Sequence, residues 1–378
     1  MTRHPRDPTN RCTCRVTALT LGVLLFVAAA GFAQSPIEEA LRFAPLDLTD
    51  GQIWFNDWVK LKAAAGVPGM TSDTPLDLRM AFARRLTQDH AAASAYGLAR
   101  LIDHAVLWGF DFADLEWEAT LQVASYAPVH VLRYREGFDL AVLKDRFAER
   151  GFVQTDSLGA TLYAHPLDPR MGWLRKSDLS ILNTAILEEE RVLILSSAPA
   201  GVQAVLTVHA TDHATQFENP FALNAARHLA EPLTAAVLLG PGTCLHFTSN
   251  PILDAIGAIP DPATVEAWKQ RIAAGATLHP YWAFAVGYRA VENCPVGTLV
   301  FEHTSPEEAA ADLPLREVLA ASAPSRVTGA PLAETHFRLL DAHVEASAIV
   351  LTVIPVNDQP SRLLRILQSA DAPFARCD

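Results

Sequence analysis

One order of segments occurs twice in this chain, and that repetition constrains its fold more than any other feature. Two apolar segments, Glu116–Val123 and Val129–Tyr134, are broken by Ala127-Pro128. A helical run follows, Asp139–Arg150, in which Leu140, Leu143 and Phe147 are spaced to share one buried face. Thr161–Ala164 and Val192–Leu195 are the next extended segments, and Ser197 with Pro199 opens a second helix. This ββαββα order returns between Tyr281 and Gln368. There, Ala283–Val291 and Thr298–Glu302 make a hairpin, and Ser305-Pro306-Glu307-Glu308 is a capping box. Phe337–Val344 and Ile349–Ile354 are strands, and Pro360–Ser369 is the closing helix. Trp117 to Trp282, Asp139 to Pro306 and Pro199 to Pro360 are all separated by roughly 165 residues, which reads as a duplication. The first copy is slightly longer, and His165–Asp178 is the loop that best takes the extra residues. The expected fold class is α+β: two tandem ββαββα repeats with mainly antiparallel sheets, helices on one face, and a helical N-terminal portion.

This divides the chain into a leader (1–33), a mostly helical segment (34–115), a first repeat (116–230) and a second repeat (231–378). In the helical segment, Ser35-Pro36-Ile37-Glu38 is another capping box, and Asp57–Ala65, Leu76–Leu86 and Ala91–Leu107 are predicted helices. In the second repeat, Thr234–Leu239 and Thr243–Phe247 are predicted strands around Gly240-Pro241-Gly242, and Asp261-Pro262 opens a helix.

Arg3, Arg6, Arg11 and Arg15 precede an uncharged, mainly apolar run, Val16–Ala30, and small residues lead to Ala33. That pattern predicts a secretory signal peptide cut after Ala33, hence a secreted or extracytoplasmic protein with no membrane span after cleavage. The rival expectation is an uncleaved leader that tethers the chain. The formal net charge is −12, and losing the arginine-rich leader makes it more negative. Such a surface repels phosphate backbones and anionic lipid, so no nucleic-acid partner is expected. Export also permits disulfides. Cys12 and Cys14 leave with the leader, and of Cys244, Cys294 and Cys377 the favoured pair is Cys244–Cys294, with Cys377 spare.

Phe55-Asn56-Asp57-Trp58, Trp108-Gly109-Phe110-Asp111 with Glu116-Trp117-Glu118, and Val131–Asp139 resemble segments of exported bacterial proteins that have no assigned activity. The resemblance spans about residues 50–210. It implies export and an architecture, and it carries no catalytic or binding residue across.

The chemistry-bearing clusters are few. His209, Asp212 and His213 have the i, i+4 spacing of a metal site, but no Glu follows the first His as zincin chemistry requires. A solvated helix end accounts for the two histidines more simply. Arg170, Trp173, Arg175 and Lys176 share the longest loop, where a flat aromatic flanked by cations suits an acidic glycan or a carboxylate-bearing partner. The alternative is a Trp173 tucked onto the sheet beside solvated cations. Glu188-Glu189-Glu190-Arg191 reads as a charged hairpin tip, and Asp103-His104 has no nucleophile elbow beside it. There is no G-x-S-x-G, P-loop, G-x-G-x-x-G after a strand, C-x-x-C or H-E-x-x-H. No cofactor is expected. The sequence leans away from an enzyme and toward a non-enzymatic extracytoplasmic binding or interaction protein, partnered by an envelope component or glycan. A secreted hydrolase with dispersed carboxylates or histidines is the alternative.

Overall fold

The computed structural model describes residues 34–48, 51–89, 96, 98, 101–122, 127–166, 179–211, 213–240, 243–244, 278–291 and 294–377. Among them twelve strands form one antiparallel sheet. They are β1 (Gln52–Asp57), β2 (Leu115–Gln122), β3 (Val129–Tyr134), β4 (Val153–Ser157), β5 (Ala160–Ala164), β6 (Asn183–Leu187), β7 (Val192–Ser196), β8 (Thr234–Leu239), β9 (Ala283–Val291), β10 (Cys294–Glu302), β11 (Phe337–Glu345) and β12 (Ala348–Pro355). Their spatial order is β11-β12-β10-β9-β8-β1-β2-β3-β7-β6-β5-β4. From the centre outward, β8-β9-β10-β12-β11 repeats the connectivity of β1-β2-β3-β7-β6, and the halves meet where β1 pairs antiparallel with β8. The two halves thus share a continuous sheet, and β4–β5 is a hairpin added to the first half alone.

Among the described residues the α-helices are α1 (Pro36–Leu41), α2 (Trp58–Ala64), α3 (Leu76–Asp89), α4 (Leu101–Trp108), α5 (Ala141–Glu149), α6 (Pro199–Ala210), α7 (Pro220–His228), α8 (Pro306–Ser322), α9 (Leu332–Thr335) and α10 (Pro360–Gln368). They cover both faces of the sheet, where the sequence predicts one. Alternation along β1 shows this directly: Trp54 enters one core cluster, with residues of α2–α5 and α8–α10. Ile53 and Phe55 enter the other, with residues of α1, α6 and α7. The corresponding helices α6 and α10 lie on opposite faces, so the two halves agree more closely in their strands than in their helices. A strand covered twice loses its polar alternation, and every residue of β8 is buried.

Close approach fixes one helix on the sheet. A Cβ at Gly297 of β10 would clash with Leu363 Cδ2 of α10 and lie 2.8 Å from Val353 Cγ2, so a larger residue would force these buried side chains to shift. Thr243 and Cys244 fall outside any strand, in place of the strand predicted over 243–247, and residues 245–247 and the helix predicted after Asp261 lie outside the described residues. The cysteines also need correcting. Cys244 bonds to Cys377, with the Cα atoms 5.3 Å apart, so Cys377 is a bonded residue and the partner given to Cys244 differs from the predicted Cys294. The C-terminal segment folds back because Tyr281 Oη donates to the Ala375 carbonyl and Arg316 Nη1 donates to the Phe374 and Arg376 carbonyls at 2.8 and 3.2 Å. Cys294 is 7% exposed at the start of β10.

Candidate functional site

Three places gather polar groups. The most open is a pair of adjoining concavities on the face of α1, α6 and α7, which share Val208 and His213 as lining. One, of about 640 Å³, has Pro45, Leu46, Ala200 and Ala204 on its walls and is mainly apolar. The other, of about 480 Å³, carries Arg42, Phe43, Arg133, Glu190, His209 and Phe217. Local folding sets these side chains. Ser35 caps α1 and buries Ile37, Ala40 and Leu41, which turns Glu39 toward Arg133 Nη1 (3.0 Å) and Trp117 Nε1 (3.2 Å). The last turn of α6 places the His209 ring flat on Phe43, with centroids 5.5 Å apart, and its Nε2 is 2.7 Å from Glu190 Oε1. That hydrogen bond raises the His209 pKa, against burial.

His209 and His213 therefore share one groove, as their spacing allows, but the ring nitrogen of His209 is committed to Glu190. Among the described residues no group of three His, Cys, Asp or Glu side chains could hold a metal ion. Asp212 lies outside the described residues, as do Arg170, Trp173, Arg175 and Lys176. A cation set on an aromatic ring also occurs inside the groove. The Arg42 guanidinium lies 4.4 Å over the Phe217 ring, and among the described residues it makes no ion pair.

The second gathering is buried in the sheet. Asn56 and Glu118 face each other across β1 and β2, and Asn56 Nδ2 donates to Glu118 Oε1 at 2.6 Å. Thr234 Oγ1 donates to Asn56 Oδ1 at 2.7 Å, and the Tyr96 amide donates to Glu118 Oε2 at 3.2 Å. Burial pushes the Glu118 carboxyl up to about 8 against these donors. Nearby, Lys62 Nζ donates to the Ala113 and Leu115 carbonyls at 2.8 and 3.3 Å, and burial lowers its pKa to about 8. Sequence reading missed this network. Glu118 alternates with the apolar Trp117 and Ala119 as a solvent-facing residue would, yet α2–α4 roof that side.

The third lies under the C-terminal segment. Asp312 accepts from the His279 amide and from Arg316 Nη2, both at 2.9 Å. In the same part of the chain Ser325, Asp371 and His336 have the composition of a hydrolytic triad but not its wiring. Ser325 Oγ donates to Asp371 Oδ2 at 2.5 Å, and His336 Nε2 sits 2.8 Å from that same oxygen. The hydroxyl thus has no hydrogen bond to the imidazole that would take its proton, and the three side chains act as a clasp. Burial opposes ionisation of Asp371, but the bonds from His336, Ser325 and the Arg326 amide hold its pKa below the usual carboxylate value.

No known protein-family model matches the chain, and no curated protein matches it. Among solved structures, crystal form I of TP0453 is similar over 90% of this chain and 99% of its own, at a TM-score of 0.39 and 12% identity. A likeness that distant carries no argument about fold details or function. Among the described residues no helix is long and apolar enough to cross a membrane.

Proposed function

We propose that this chain is an exported, extracytoplasmic binding protein that takes a carboxylate-bearing glycan or peptide in the groove between α1 and the end of α6. The observation that carries the reading is Arg42: its guanidinium is spread over Phe217 with no ion-pair partner among the described residues, while the neighbouring Arg133 and His209 are paired with Glu39 and Glu190. A cation held on a ring keeps its charge and loses little freedom on meeting an acidic group. The adjoining apolar concavity would take the less polar part of the ligand. Export rests on the arginine-rich leader and is compatible with the disulfide. The loop of Arg170, Trp173, Arg175 and Lys176 belongs to the same proposal as a second acid-binding element, on its composition alone.

A binding array of acidic envelope glycans and acidic peptides, probed with the mature chain and with Arg42→Ala, tests this. The proposal expects at least one acidic probe to bind the parent and to lose roughly tenfold or more in affinity with Arg42→Ala. Equal affinity of both proteins for every bound probe would remove the groove as the site.

A further inference from the structure

The two edges of the sheet are built differently, and the difference points to a partner. On one edge, β11 is interrupted by a register shift between Leu339 and Asp341 and carries Arg338, Asp341, His343 and Glu345. Bulges and charges of this kind stop a sheet from recruiting a further strand. The other edge is β4, Val153-Gln154-Thr155-Asp156-Ser157, which pairs with β5 in unbroken register from Val153↔Ala164 to Ser157↔Ala160. It has no proline, bulge, lysine or arginine, and among the described residues no strand flanks its outer side. Its residues are exposed apart from a half-buried Ser157, and Val153 is 60% exposed. The equivalent of β11 in the first half is β6, which the added β4–β5 hairpin covers. The insertion thus replaces one edge with another that lacks the blocking features of β11.

We infer that β4 is a homodimer interface, in which two copies of this chain join their sheets edge to edge about a twofold axis through Thr155. The sequence of β4 is self-complementary in that register. Thr155 meets Thr155 of the second copy, a pairing that suits β-branched hydroxyl residues. Gln154 meets Asp156 of the second copy, so the one charged side chain of the strand faces an amide donor and no like charge. Val153 meets Ser157 of the second copy, which covers apolar surface that is open in the single chain. The contact is isologous and closed, so it stops at two copies. Another protein could add a strand at the same place, but the complementarity of β4 to itself favours a second copy.

The test uses the mature full-length chain. Sedimentation velocity over a wide concentration range should show the parent passing from monomer to dimer. Thr155→Lys, which puts two like charges on the axis, should raise the dimer dissociation constant at least tenfold, with an unchanged circular dichroism spectrum. Mild oxidation of Thr155→Cys should give a covalent dimer on a non-reducing gel, absent from the parent. Gln154→Cys should crosslink efficiently when mixed with Asp156→Cys and poorly alone. A parent that stays monomeric at every concentration would overturn the inference. So would a dimer that Thr155→Lys leaves intact, or one in which Thr155→Cys fails to crosslink.

Discussion

Replacing Glu118 with Gln asks whether the buried carboxyl titrates as its surroundings require. The folded chain holds this group at about 8, against 4.5 for a solvated glutamate, because burial disfavours the charged form. A carboxyl raised in this way binds its proton more tightly in the folded than in the unfolded chain. Its contribution to stability is therefore complete below 4.5 and is lost as pH rises toward 8. At about 1.4 kcal/mol per pH unit, the loss between pH 5 and pH 7 is about 3 kcal/mol. Glu118→Gln cannot ionise and has no such slope. Its amide still accepts from Asn56 but places a donor near the Tyr96 amide, a pH-independent penalty of about 1 kcal/mol. Urea titrations followed by tryptophan fluorescence at pH 5, 6 and 7 would give the difference in stability between parent and variant. Other groups shifted by burial, such as Lys62 and Glu302, titrate in both proteins and cancel from it. The difference should fall by about 3 kcal/mol across this window. A difference independent of pH would refute the argument, since Glu118 would then ionise as a solvated residue does.

Other outcomes are expected from the same structure. Gly297→Ala should destabilise the chain by about 1–3 kcal/mol through its clash with Leu363, and Gly297→Ala with Leu363→Ala should fall short of the sum of the two single losses when measured by denaturant titration. Arg316→Leu removes the arginine paired with the buried Asp312, two carbonyl contacts of the fold-back and one to His279, and should cost about 3–5 kcal/mol in the same assay. Peptide mapping without reduction should recover a Cys244–Cys377 crosslink, and Cys377→Ser should lower stability by about 4–5 kcal/mol in the chain-entropy model, given the 133-residue separation.

Much of the strand pattern was legible in the sequence because alternation and turn residues are local. Val129–Tyr134 and Ala283–Val291 have the predicted limits, and Pro199 and Pro360 open α6 and α10 as expected. Cover on the second face was not legible. Glu118 and Thr120 are polar residues in alternation with Trp117, Ala119 and Leu121, and nothing local says that helices from another part of the chain roof them. The strand β4 was missed because Gln-Thr-Asp-Ser has no apolar period, an expected property of a strand exposed on both faces. The pairing of Cys244 depends on the fold-back after α10, which is set by a buried arginine some sixty residues earlier in the chain. At the groove, the spacing of His209 and His213 was visible, while Arg42 and Phe217 come together only in three dimensions.

The proposed groove is tested most directly by hydrogen exchange measured by mass spectrometry on the mature chain, with and without the tightest acidic glycan or peptide from the array. Protection is expected in peptides covering residues 39–47 and 205–218, and Arg42→Ala should abolish it. Protection confined to other parts of the chain, or none at a saturating concentration of a bound probe, would contradict the assignment of the groove.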